Sequence, residues 1–138
     1  MKKYILTIDQ GTTSTRAILF DHKANTIGIY QMEFTQICPK SGYVEHNADE
    51  IYQTVLECIK NVIINASIEP EEIDSIAITN QRETTVAFGF DGHPLANAIC
   101  WQSRQSQKIC DDLIARGYED MIYQKTGLHI NPYFSASK

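Results

Sequence analysis

What this sequence lacks narrows its function before any motif is read. It has no uninterrupted apolar run of about 18 residues, the length that a membrane-spanning helix needs. Met1-Lys2-Lys3 leads into a strand-like segment without the apolar centre of an export signal. The expectation is a cytoplasmic protein with no membrane partner. Basic residues do not cluster, and 12 Lys and Arg against 17 Asp and Glu leave a net charge of −5. That balance excludes a nucleic-acid partner, so any phosphate ligand is expected to be a small molecule. Cys38, Cys58, Cys100 and Cys110 form no C-x-x-C pair, and no histidine stands at zinc-ligand spacing from them. Without an export signal they are expected as reduced, mostly buried thiols. His22, His46, His93 and His129 are expected at the surface or in hydrogen bonds. Neither the P-loop pattern nor the G-x-G-x-x-G dinucleotide fingerprint occurs, and there is no internal repeat or low-complexity tract.

What is present is one domain's length, 138 residues, with 43% apolar and 21% charged residues, as in ordinary globular proteins. The stretch Asp9-Gln10-Gly11-Thr12-Thr13-Ser14-Thr15-Arg16 lies between the apolar runs Tyr4 to Ile8 and Ala17 to Phe20. Gly11 permits a tight bend close to a ligand, and three hydroxyl residues beside it offer N–H and O–H donors to phosphate oxygens. Asp9 adds a carboxylate and Arg16 a fixed positive charge. Magnesium at nucleotide sites favours one or two carboxylates with phosphate oxygens and water, so the acid and the donors suit one ligand. Gly, Thr and Ser also make plain hairpin turns, and local composition leaves both readings open.

The periodicities predict strands over Tyr4 to Asp9, Ser14 to Phe20 and Thr26 to Phe34, an antiparallel meander whose third strand turns Gly28, Tyr30, Met32 and Phe34 to one face. Asn47 followed by Glu50 marks a helix start. Ile51, Val55, Ile59, Val62 and Ala66, widened by Leu56 and Ile63, form its apolar stripe, and the helix is expected to end by Pro70. Ile73 to Thr79 reads as a buried strand reached by that helical crossover. The polar block Asn80-Gln81-Arg82-Glu83-Thr84 sits at its C-terminal end, where open α/β sheets bind ligands. A hairpin is predicted from Thr85 to Ile99 around Asp91-Gly92, then a helix from Gln102 to Arg116 stopped by Gly117, and a short helix over Tyr118 to Thr126 closed by Gly127.

By Arg82 the motifs become recognisable together. Ile8 to Ser14, Val44-Glu45-His46, Ile78 to Thr85, Asn97-Ala98-Ile99 with Trp101-Gln102, Thr126-Gly127-Leu128 and Pro132-Tyr133-Phe134-Ser135 run through the whole chain. In these the sequence resembles the N-terminal part of the glycerol kinases, within the sugar and polyol kinases. Thr15 departs from a common Ser, Tyr43 from a common Trp, and Ala136 from a common Gly.

The resemblance implies an α/β, ribonuclease H-like domain of the actin and hexokinase type: a mixed sheet opening with a three-stranded antiparallel meander, followed by crossover helices. It implies residues 1–138 as an N-terminal domain cut short at its C-terminal end, with a second ATPase domain absent. The implied activity is ATP-dependent phosphorylation of glycerol to sn-glycerol 3-phosphate, with ATP and Mg2+ as cofactors and a homo-oligomeric full-length enzyme. Thr12, Thr13, Ser14 and Arg16 match the ATP-phosphate hairpin, and Asp9 matches the acid near magnesium. Arg82 and Glu83 match residues that hydrogen-bond glycerol, with Trp101 and Tyr133 lining the pocket. A catalytic residue is not expected within the chain, because the family's base is an aspartate beyond residue 138. A guanidinium that only donates and a carboxylate that only accepts suit a triol. Outside the family pattern, Arg82 and Glu83 read first as a surface pair, and Trp101 and Tyr133 as core aromatics. The rivals are a kinase for another polyol or a ketose, and a non-catalytic nucleotide module of the actin type.

Overall fold

The computed structural model describes residues 3–138; the expectation that Met1 and Lys2 carry no export leader lies outside the described residues. The chain divides into two compact units. The first contains the described residues up to Thr35 together with Ala48–Gln81, and the second contains Gln36–Asn47 and Arg82–Lys138.

The first unit is a four-stranded mixed sheet with one long helix. Strands β1 (Tyr4–Gln10), β2 (Ser14–Asp21) and β3 (Thr26–Glu33) form the expected antiparallel meander. Helix α1 (Ala48–Ala66) then crosses to β5 (Ile73–Asn80), which runs parallel to β1 and gives the order β3-β2-β1-β5. Period-two alternation puts Leu6, Ala17 and Leu19 on the face that α1 covers with Cys58 and Val62. Tyr30 and Met32 of β3 pack against the same cluster, as the strand's alternation requires.

Two expectations need correction in this unit. The innermost line of α1 is Thr54, Cys58 and Val62, one position round from the line drawn through Ile51 and Val55, and Leu56 is exposed. The cause is a buried hydroxyl contact: Thr54 Oγ lies 2.8 Å from the Oγ of fully buried Thr15. The other correction concerns β5, expected to be buried. It occupies a sheet edge, and Ile76 and Ile78 are 59% and 70% exposed although their register partners Leu6 and Ile8 are buried. Helix α1 packs over β2 and β3, not over this edge.

The second unit has little regular structure. Strand β4 (Glu45–His46) pairs with β6 (Ala98–Ile99), a two-residue ladder whose second strand lies in the predicted hairpin. The predicted hairpin is reduced to isolated bridges, Thr85 with Ile99 and Phe88 with Pro94. Helix α2 (Gln107–Ala115) begins five residues later than expected. Buried Ser103 and Ser106 cause the delay: Ser103 N–H bonds the Cys100 carbonyl while its Oγ accepts Val44 N–H, so the segment turns instead of coiling. Helix α3 (Glu119–Thr126) stops at Gly127, whose φ of 73° the absent Cβ makes inexpensive. Cys58, Cys100 and Cys110 are buried free thiols, and Cys38 is exposed.

Candidate functional site

The predicted residues fall into two clusters, one in each unit. In the first unit the turn between β1 and β2 is closed by a hydrogen bond from Gly11 N–H to the Ser14 carbonyl at 2.9 Å. A Cβ at Gly11 would meet that oxygen at 3.1 Å, so the turn admits a side chain there only by shifting. Gly11 is thus used for close approach; it is not among the residues with positive φ. Thr13 is exposed at the tip, and Thr12 and Ser14 are half-buried beside it.

Register pairs Asp9 with Arg16 across the hairpin, and their charged ends lie 3.9 Å apart. At such exposure the pair contributes at most about 1 kcal/mol, so its effect is to orient the guanidinium more than to stabilise the fold. Gln31 on β3 completes the orientation. Its Oε1 accepts Arg16 Nε–H at 3.1 Å and its Nε2 donates to Ser14 Oγ at 3.0 Å, which fixes a cation and a hydroxyl together.

Sequence reasoning gave no role to Gln31 or Gln10, and saw Gln81 only as part of the polar block after β5. Gln10 is buried under the turn, donating to the Gly11 carbonyl at 2.7 Å and accepting from Gln81 Nε2 at 3.3 Å. Gln81 N–H in turn bonds the Gln10 carbonyl at 2.8 Å, so the ends of parallel β1 and β5 are locked to each other beneath the hairpin. The available signal was a glutamine at an inward position of an otherwise apolar strand, since a buried amide must be hydrogen-bonded.

No group of three or more His, Cys, Asp or Glu able to hold a metal ion exists among the described residues. Asp9, half-exposed at the end of β1, is a single carboxylate. That donor set suits a magnesium ion carried in by phosphate oxygens and water, and does not suit a resident metal held by protein alone.

In the second unit, Glu83, Trp101 and Tyr133 are linked by local contacts. The Trp101 and Tyr133 rings meet edge to face with centroids 5.7 Å apart, and Tyr133 meets Phe134 at 5.1 Å in the same manner. The main-chain N–H of Trp101 donates to Thr84 Oγ at 3.3 Å, tying its backbone to the residue after Glu83. Glu83 has φ 63°, a left-handed backbone that costs a residue with a Cβ about 1 to 3 kcal/mol. Contacts from the last residues oppose that cost. Ser135 donates both its N–H and its Oγ–H to Glu83 Oε2, each at 2.8 Å, and Lys138 Nζ donates to the Glu83 carbonyl at 2.7 Å.

The two Ser135 bonds hold the Glu83 carboxyl below the usual carboxylate range, with Lys138 and Arg82 adding to the effect. Burial pushes the Lys138 ammonium below the ordinary lysine value. Arg82 itself is exposed. The cluster therefore presents a fixed acceptor, an exposed cation and two aromatic walls, a set able to orient a small polyhydroxylated molecule.

Comparison with known proteins identifies the family of the chain. The model of the N-terminal domain of the FGGY family of carbohydrate kinases matches residues 4–138. The chain is 54% identical over 138 residues to glycerol kinase of Desulforamulus reducens, and 56% identical over 138 residues to glycerol kinase of Xylella fastidiosa. In each case it covers 99% of this chain and 28% of the relative, so the chain spans little more than a quarter of their length. Among solved structures, Plasmodium falciparum glycerol kinase with ADP superposes with a TM-score of 0.87 at 31% identity, covering 97% of this chain and 27% of that one. Gluconate kinase from Lactobacillus acidophilus gives the same TM-score at 28% identity, covering 96% and 26%. The actin and hexokinase type of fold expected from sequence is the fold observed, and the chain belongs to the FGGY family of carbohydrate kinases.

Proposed function

We propose that this chain is the N-terminal domain of a kinase that transfers the γ-phosphoryl group of ATP to the terminal hydroxyl of glycerol. The observation that carries the reading is the Glu83 carboxylate fixed by Ser135, in the same unit as the Trp101 and Tyr133 ring pair, in a chain more than half identical to glycerol kinases. Gluconate and glycerol kinases share its fold equally well, so shape alone does not choose the substrate. The identity favours glycerol.

In this reading Thr12, Thr13 and Ser14 receive ATP phosphates, and Arg16, aimed by Asp9 and Gln31, balances their charge. Asp9 accepts from water around Mg2+, which when bound neutralises charge on the phosphates. Glu83 accepts hydrogen bonds from two glycerol hydroxyls or one, and Arg82 donates to the oxygens. Tyr133 and Trp101 cover the carbon skeleton and exclude water. Phosphoryl transfer further needs a base for the attacking hydroxyl and a domain for the adenine. We assign both to a longer chain, in which residues 1–138 form part of the first domain. We also take the enzyme to be cytoplasmic and homo-oligomeric, without a nucleic-acid or membrane partner. No helix among the described residues is long and apolar enough to cross a membrane.

A coupled assay of the full-length protein against glycerol, dihydroxyacetone, xylulose and gluconate tests the proposal. Glycerol is expected to give the highest kcat/KM; preference for xylulose or gluconate refutes it. ATP-dependent turnover by the isolated 138 residues refutes the assignment of the base elsewhere.

A further inference from the structure

We propose that Ser135 and Lys138 are positioning residues which hold Glu83 and Tyr133 in the geometry that receives the polyol. This rests on the pocket assignment above and deepens it. A glutamate on left-handed backbone has no intrinsic preference for that conformation, so its carboxylate stays in place only if other groups anchor it. Ser135 anchors the side chain with two donors, and both fall on Oε2. The second oxygen, Oε1, keeps its capacity to accept from a substrate hydroxyl.

Lys138 anchors the main chain. Its ammonium donates to the Glu83 carbonyl at 2.7 Å and to the Tyr133 carbonyl at 2.6 Å. One cation thus ties together two segments 50 residues apart, each carrying a residue read as touching the polyol. Ser137 Oγ bonds Ser106 Oγ at 2.9 Å and attaches the same turn to the start of α2, so the strap is held at a third point. Two short charge-assisted bonds from a half-buried ammonium make the link stiff, and the strap spans Ser135 and Lys138 in a single 3-10 turn (Ser135–Ser137).

The test uses the full-length protein with Ser135→Ala, Ser135→Thr and Lys138→Met, reading KM for glycerol and for ATP, kcat, and folding by circular dichroism. Ser135→Ala should raise glycerol KM roughly tenfold, the loss of one hydrogen bond to a charged group, with ATP KM within about twofold. Ser135→Thr keeps the donor and should return glycerol KM to within about threefold of wild type. Lys138→Met should raise glycerol KM by a similar factor at neutral pH. The titratable groups facing the ammonium are Glu83 and Cys100, whose ionised forms favour its charged form. Burial outweighs them and holds the Lys138 ammonium below the ordinary lysine value, so in the wild type glycerol KM should rise at alkaline pH below that value, and Lys138→Met should lack that limb. Folded Ser135→Ala with glycerol KM within about twofold of wild type overturns the proposal, whether or not Lys138→Met folds. So does a parallel rise in both KM values, which marks a merely structural strap. A wild-type protein that fails to phosphorylate glycerol refutes the function reading instead.

Discussion

The buried hydroxyl pair beneath the phosphate hairpin gives a prediction with a built-in asymmetry. Thr54 Oγ donates to the Ile51 carbonyl at 2.7 Å, so in its 2.8 Å contact with Thr15 it must accept and Thr15 must donate. Thr54→Val removes the acceptor of the Thr15 hydroxyl, which is fully buried. Stranding such a group costs about 1 to 3 kcal/mol. Thr15→Val removes one bond that Thr54 accepts and leaves its bond to Ile51 intact, costing about 0.5 to 1.5 kcal/mol. The double variant strands neither group, so its cost should fall below the sum of the single costs by about 1 kcal/mol. Urea denaturation followed by helical circular dichroism measures all three. With a slope of about 2 kcal/mol per molar, a 1 kcal/mol difference moves the midpoint by about 0.5 M. Equal single costs, or strict additivity in the double variant, refute the donor assignment. The consequence is functional, because Thr15 adjoins Ser14 and ties the hairpin to α1.

Further predictions follow from other parts of the molecule. Arg82→Ala should raise glycerol KM by about 10-fold to 100-fold, the worth of a charge-assisted hydrogen bond, and leave ATP KM unchanged in steady-state assays. Val62→Ala should destabilise by about 2 kcal/mol and Leu56→Ala by less than about 0.5 kcal/mol in urea melts, since Val62 is buried and Leu56 exposed. Glu83 has a depressed folded pKa, so its contribution to stability is complete above the unfolded value of 4.5 and is lost as pH falls through the lower folded value. Carboxyl titration by NMR should place Glu83 below 4.5 in the parent and move it upward in Ser135→Ala; an unmoved titration refutes the Ser135 anchor.

How much of this was legible in the sequence depends on the range of the interaction. The meander and α1 were readable because each buries one face of a regular element, and a repeat of two or 3.6 residues records that directly. Even there, periodicity ranked Val55 above Thr54, because it scores apolarity and cannot register a hydroxyl matched by another hydroxyl 39 positions away. Strand β5 shows the converse. Its isoleucines carry the composition of a buried strand, but burial is a property of what packs on them, and α1 covers β2 and β3, leaving this edge open. Strands β4 and β6 were illegible because two residues hold no period, and their pairing exists only through contacts more than 50 positions apart.

The site divides along the same line. Asp9, Thr12, Thr13, Ser14 and Arg16 are contiguous, so one turn carries their pattern. The support of that turn by Gln10, Gln31 and Gln81 is distributed over β1, β3 and the end of β5, and only the inward Gln10 left a local mark. Arg82 and Glu83 were found through a motif, yet the motif says nothing of why a glutamate tolerates φ 63°. That answer lies 52 residues on, in Ser135, and 55 residues on, in Lys138. A residue that touches a ligand is constrained by chemistry common to a family, so it repeats at a fixed place in a motif. A residue that holds the first one in place is constrained by geometry alone, which becomes visible only when the backbone brings the two together. The strain at Glu83 is therefore the more informative observation, because an unfavourable conformation persists only where surrounding contacts over-determine it.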